Sequence, residues 1–226
     1  MTLEACIHLT QILMALAFIQ AGLEHLPGPA DLRNVHALRV GLSLALLIGL
    51  WPLAALAGLA VTSLWLLHRF DGPYNGGSDK MGLLILFILL LAELVGDPVW
   101  QERIIAYLGF QVIMSYFISG QVKIANPDWR SSAALRDVFA FSAYPVSEEL
   151  RHLANHPKLM RAASWAVMLF EVLFPLAMLD QRLLFGALAV AALFHLANAC
   201  LFGLNRFFWI WPASYPALIW LQARLI

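Results

Sequence analysis

Ser115-Tyr116-Phe117-Ile118-Ser119-Gly120-Gln121-Val122-Lys123 closes an apolar run that begins near Ile104. About twenty residues of this kind form a helix about 30 Å long, which matches the hydrocarbon core of a bilayer. The run ends on a lysine, and Ile124-Ala125-Asn126-Pro127-Asp128-Trp129 follows directly. A lysine at or near membrane depth costs about 2.5–3.5 kcal/mol on insertion scales. Burial disfavours the charged form of an amine, so a desolvated lysine can act as a base at neutral pH. The alternative is a snorkelling lysine at a helix end, with ordinary interhelical hydrogen bonds around it.

The rest of the chain has the same character. Of its 226 residues 62% are hydrophobic and only 12% are charged, and the mean hydropathy is +0.77. A soluble globular domain is nearer to about 25% charged. The composition predicts an all-α fold: a polytopic transmembrane helix bundle of about eight membrane segments plus short interfacial helices. One domain over residues 1–226 is expected, with no separate soluble domain. The lipid bilayer is its expected surrounding, as a multi-pass integral membrane protein (in the inner or plasma membrane if bacterial). Lys+Arg and Asp+Glu both number 14. Such a balanced charge gives no footprint for nucleic acid. Cys6 and Cys200 lie in apolar stretches far apart and read as packing residues. Met1 to Glu4 lacks a basic region, so the first apolar stretch reads as a retained helix.

Eight segments are expected: Leu3–Leu23, Ala37–Gly49, Leu53–His68, Asp79–Val95, Ile104–Lys123, Leu159–Leu179, Leu183–Leu204 and Phe207–Leu221. Asp71 to Asp79 is dense in turn residues, and Ser78 is a candidate N-cap for the fourth segment. Between the fifth and sixth lie two short amphipathic patterns, Ser131–Phe141 and Val146–Asn155, predicted to lie along the membrane surface. Most loop cations fall on one side, from Arg33 to Arg206, with Arg103, Arg182 and Arg224 on the other. The positive-inside rule places the richer side in the cytoplasm.

Four polar positions precede or include the lysine at intervals of four: Gln111, Ser115, Ser119 and Lys123. They form a slowly drifting stripe, with Tyr116 beside it. In the seventh segment His195 and Asn198 share a face at i and i+3. Glu171 lies midway along the sixth, four residues before Pro175. An acid at that depth is protonated, paired or facing water. Lys123, His195 and Arg206 are its candidate partners. Lys123, Glu171 and His195 are predicted to converge on one site. Glu148, His152 and His156 are also spaced by four and could share a helical face. A solvated interfacial face is the simpler reading there, and no metal is expected.

The string Tyr116 to Lys123 followed by Asp128-Trp129, with Phe194-His195-x-x-Asn198-x-x-Leu201-Phe202, resembles the vitamin K-dependent gamma-carboxylase family. Glu171 and the glycine loop at Asn75 fall in matching order. The membrane part of that family is called the HTTM domain. The resemblance implies that Lys123 is the base that deprotonates a quinol-like, lipid-soluble cofactor such as vitamin K hydroquinone. In the carboxylases, O2 addition then generates a strong base, which removes a glutamate γ-proton before CO2 is added. His195 would act beside Lys123. Asn75, Tyr116, Ser119, Trp129, Glu171 and Asn198 would surround the quinol. A peptide or protein substrate is the implied partner, since short relatives take part in toxin-peptide maturation. The implied activity is thus a carboxylase/epoxidase-like lyase on a quinol. The rival readings are a non-catalytic accessory membrane protein in peptide maturation or partner binding, and a transporter or quinone-linked electron carrier.

Overall fold

The computed structural model describes residues 1–69, 77–142 and 146–226, with Asp31 described by its backbone alone. The helices are α1 (Leu3–His25), α2 (Ala30–Leu47), α3 (Pro52–Arg69), α4 (Gly77–Val95), α5 (Pro98–Ala125), α6 (Pro127–Arg130), α7 (Ala133–Phe141), α8 (Pro157–Leu173), α9 (Gln181–Phe202), α10 (Asn205–Ile210) and α11 (Tyr215–Leu225). Short 3-10 turns occupy Glu148–Asn155, Phe174–Leu179 and Pro212–Ser214. No strand occurs among the described residues. The protein is an all-helical, multi-pass integral membrane protein.

Five described helical stretches are long and apolar enough to cross a membrane: Leu3–His25, Pro52–Arg69, Pro98–Ala125, Pro157–Leu179 and Gln181–Phe202. The other three expected segments are helical but different in kind. α2 contains Asp31, Arg33 and Arg39, and α4 contains Asp79, Lys80 and Glu93. The expected eighth span, Phe207–Leu221, is not one helix. It breaks at Pro212, whose missing N–H and ring close off the preceding turn.

Several boundaries shift for local reasons. Gly96, at φ +67°, ends α4, and the Asp97 side chain accepts the Trp100 N–H at 3.1 Å. With Pro98 in the first turn, this starts α5 ahead of the expected Ile104. Ser78 is not an N-cap, because α4 already begins at Gly77. The expected sixth segment keeps its extent but becomes 3-10 after Leu173. Pro175 has no N–H to give to the Glu171 carbonyl four residues back, and the Phe174 N–H takes that carbonyl instead. α9 is capped by Asp180, which accepts from Arg182 and Leu183. It ends at Gly203, φ +68°, where the Leu204 N–H reaches the Asn198 carbonyl.

The helices fall into two compact units. The first holds residues 1–109 and 206–225. Its core includes Met14, Leu56, Leu59, Ile85, Leu86 and Leu89. The second holds residues 110–205. There Leu135 and Phe139 of α7 pack with Ala154, Met160 and Phe202. Leu135 and Phe139 form the buried side of the first amphipathic piece, while Val138 and Phe141 are exposed. The second piece, Glu148–Asn155, is a 3-10 helix rather than an α-helix. With about three residues per turn, i and i+3 eclipse. The expected shared face of Glu148, His152 and His156 is therefore lost, and Glu148 instead pairs with Arg151 at i+3.

Candidate functional site

The second unit brings several of the predicted residues together on α5, α8 and α9. On an α-helix each i+4 step advances about 40° past a full turn, whereas a step of seven returns to within about 20°. Tyr116 and Lys123 therefore share a face, while the stripe from Gln111 to Lys123 rotates by about 120°. The structure follows this arithmetic. The Ser115 hydroxyl donates to its own helix at the Gln111 carbonyl, 2.7 Å away, and Ser119 is exposed. The drift of the stripe thus carries Ser115 and Ser119 off the face that Tyr116 and Lys123 share.

Gly120 lies on the Tyr116–Lys123 face and sets the distance to α8. A Cβ at Gly120 would lie 2.5 Å from the Val172 nitrogen and 2.9 Å from the Glu171 carbonyl carbon. Only a residue without a side chain permits this approach. One turn later, Lys123 Nζ donates to both carboxylate oxygens of Glu171, at 2.8 Å and 2.6 Å. The Glu171 side chain is 5% exposed and that of Lys123 21%, so the lysine is the more exposed member of the pair. Nζ also lies 5.4 Å from the centre of the Trp129 ring. Trp129 is held in turn, since its carbonyl accepts the Ser164 hydroxyl at 2.6 Å.

His195 makes a separate contact about two turns along α5. It is 2% exposed, and its Nε2 is 3.0 Å from the Tyr116 hydroxyl. The Tyr116 ring stacks on Phe174 at 4.1 Å and meets Phe170 edge-on. Lys123 and His195 are thus each joined to a neighbour, Glu171 and Tyr116 respectively. Of the three candidate partners for Glu171, the one found is Lys123. Arg206 instead holds Asp79 at 2.9 Å in the first unit. Asn198 is half-buried one turn after His195. Asn75 lies outside the described residues.

The family model for the HTTM domain matches residues 96–220, more than half of the chain. The chain belongs to the HTTM domain family. No curated protein and no solved structure matches it. In this HTTM chain the matched region contains Lys123, Trp129, Glu171 and His195.

Two features escaped the sequence reading of this HTTM protein. Gly120 stood inside the string quoted first, yet its role depends on what faces it. Arg39 was counted among loop cations, although it is 7% exposed inside α2. Its position within the apolar stretch Ala37–Gly49 was the available signal.

Proposed function

We propose that this HTTM protein is a membrane enzyme, or the membrane core of one, in which Lys123 is the base toward a quinol-like, lipid-soluble substrate or cofactor. The observation that carries the reading is the Lys123–Glu171 pair, with its carboxylate buried and its lysine the more exposed partner. The donor set suits a quinol: a proton acceptor, a carboxylate to receive a proton from it, and the flat indole of Trp129 alongside. When bound, a quinol would supply an acidic O–H and reactivity toward O2.

The chain's own residues would do the following. Glu171 fixes Nζ through two hydrogen bonds and can take one proton from the ammonium. That transfer removes both charges of a desolvated pair at once. The freed amine at Nζ then accepts the O–H proton, and the electron pair stays on the oxygen. Tyr116 and His195 hold the adjoining stretch of α5 against α9. CO2 addition to a peptide or protein glutamate belongs to the same reading by family likeness.

A second reading takes the pair as a structural tie in an accessory, partner-binding protein. The backbone contact at Gly120 favours it, since the pair closes a tightly packed helix crossing. Lys123→Arg separates the two. Guanidinium stays protonated and cannot serve as a base, yet it can pair with Glu171. The assay supplies vitamin K hydroquinone, O2 and labelled bicarbonate to the full chain in nanodiscs, and quinol retention is measured in parallel. The enzyme reading expects Lys123→Arg, which keeps a cation against Glu171, to lose turnover at least a hundredfold while the protein stays folded and retains quinol. Wild-type turnover in Lys123→Arg overturns it.

A further inference from the structure

The first unit contains a partly open cavity of about 220 Å³ that borders α1, α2, α3, α4 and α10. Most of its wall is apolar, with Phe18, Leu66, Leu83 and Ile210 among the contributors. Arg39 also lines it. Arg39 Nη1 donates to three neutral oxygens: the Ser63 hydroxyl at 2.5 Å, the Thr62 hydroxyl at 3.2 Å and the Leu59 carbonyl at 3.4 Å. Its guanidinium lies 4.6 Å above the Phe18 ring. Among the described residues no carboxylate forms an ion pair with it. Asp79, the acid at this cavity, is held by Arg206.

A second observation points the same way. His36, one turn before Arg39, is 8% exposed, and among the described residues its Nδ1 has no hydrogen-bond partner. It stacks on His25 at 4.7 Å, and both rings line the cavity. The local structure is built for this approach. A Cβ at Gly22 would meet Val40 Cγ2 at 2.6 Å and the His36 carbonyl at 3.3 Å, so α1 and α2 touch there. Arg39 is thus a buried cation hydrogen-bonded by neutral dipoles. Asp79 attracts it at longer range but is itself paired with Arg206, so the cavity wall, which Arg69 also joins, carries more cations than carboxylates.

We propose that this cavity binds an apolar molecule carrying one anionic group, a carboxylate or a phosphate, with the anion at Arg39. The guanidinium presents further N–H donors beyond Nη1 and suits either oxyanion. The walls take the apolar part. This site lies wholly within the first unit and is independent of the Lys123 chemistry.

The test uses the full chain in nanodiscs of zwitterionic lipid. A diazirine-bearing lauric acid is photocrosslinked, and labelled peptides are mapped by mass spectrometry. Laurate, dodecyl phosphate and dodecanol are the competitors. Labelling is expected within α1, α3 or α4, with dodecanol competing at least tenfold more weakly than the better anion. Laurate against dodecyl phosphate distinguishes a free carboxylate from a lipid-type phosphate. Arg39→Gln is expected to weaken the anion at least tenfold and leave dodecanol unchanged. Should that variant fail to fold, Leu83→Trp keeps every charge and fills the space, and it is expected to abolish labelling. Equal competition by all three compounds, or wild-type labelling in either folded variant, overturns the proposal.

Discussion

Lys123 reaches Glu171 at 2.6 Å across a crossing where α5 and α8 touch through backbone, because Gly120 sits between them. The ion pair and the glycine are one device. The close approach keeps the amine within hydrogen-bond reach of a carboxylate that would be expensive to leave unpaired at that depth.

Gly120→Ala is therefore expected to lower stability, by about 1–3 kcal/mol, because its new methyl meets backbone atoms that cannot rotate away. Gly186→Ala in α9 is the control. Nothing lies within 4 Å of a Cβ there. Alanine should raise stability by up to about 1 kcal/mol through helix propensity. Thermal unfolding in detergent reads both, and a gain in Gly120→Ala would refute the contact.

Removing one partner of the pair should cost more than removing both. Lys123→Met leaves the Glu171 carboxylate buried alone, for a loss of order 3 kcal/mol. The double variant Lys123→Met with Glu171→Met should recover most of that loss. A double-mutant cycle measured by denaturation checks this, and additive losses would argue against coupling.

Tyr116→Phe keeps the ring on Phe174 and deletes only the hydroxyl that meets His195 Nε2. The expected cost is about 1–2 kcal/mol. Hydrogen exchange should show faster opening of α9 around His195, while the amides of α7 stay unchanged. Equal protection in both proteins would mean that the bond carries no weight.

Acid should loosen the end of α7. Arg151 donates to the Ala140 and Ser142 carbonyls and is steadied by Glu148. The hydrogen bond from Arg151 holds the Glu148 carboxyl below its ordinary value of 4.5. A carboxylate shifted down in the folded state contributes fully above the unfolded value. Its contribution is lost as pH falls through the folded one. Exchange protection of residues 133–142 should hold at neutral pH and decline below about pH 4. Arg151→Ala should abolish this pH dependence.

How much could be read in advance differs by kind of feature. Local chemistry was legible. Long apolar runs had to become helices, since no other open structure pairs every backbone group inside a bilayer. Gly96-Asp97-Pro98 and Asp180 carry their stop and start signals in adjacent residues. The break at Pro212 was equally local, and the hydropathy of Phe207–Leu221 hid it. The depth of Glu171 and Lys123 announced that each needed a partner.

By itself the sequence determined the all-helical membrane fold, most helix ends, and the need for buried charges to be compensated. All of these follow from residues within a few positions of one another. Only the tertiary structure decided which partner each polar group takes. Glu171 meets Lys123, Tyr116 meets His195, and Asp79 meets Arg206. Tertiary packing also decided that Arg39 is buried at a cavity wall. The reason is range. A hydrogen bond needs about 3 Å, and that closeness is set where Gly120 and Gly22 let distant segments touch. No residue's neighbours along the chain record that contact.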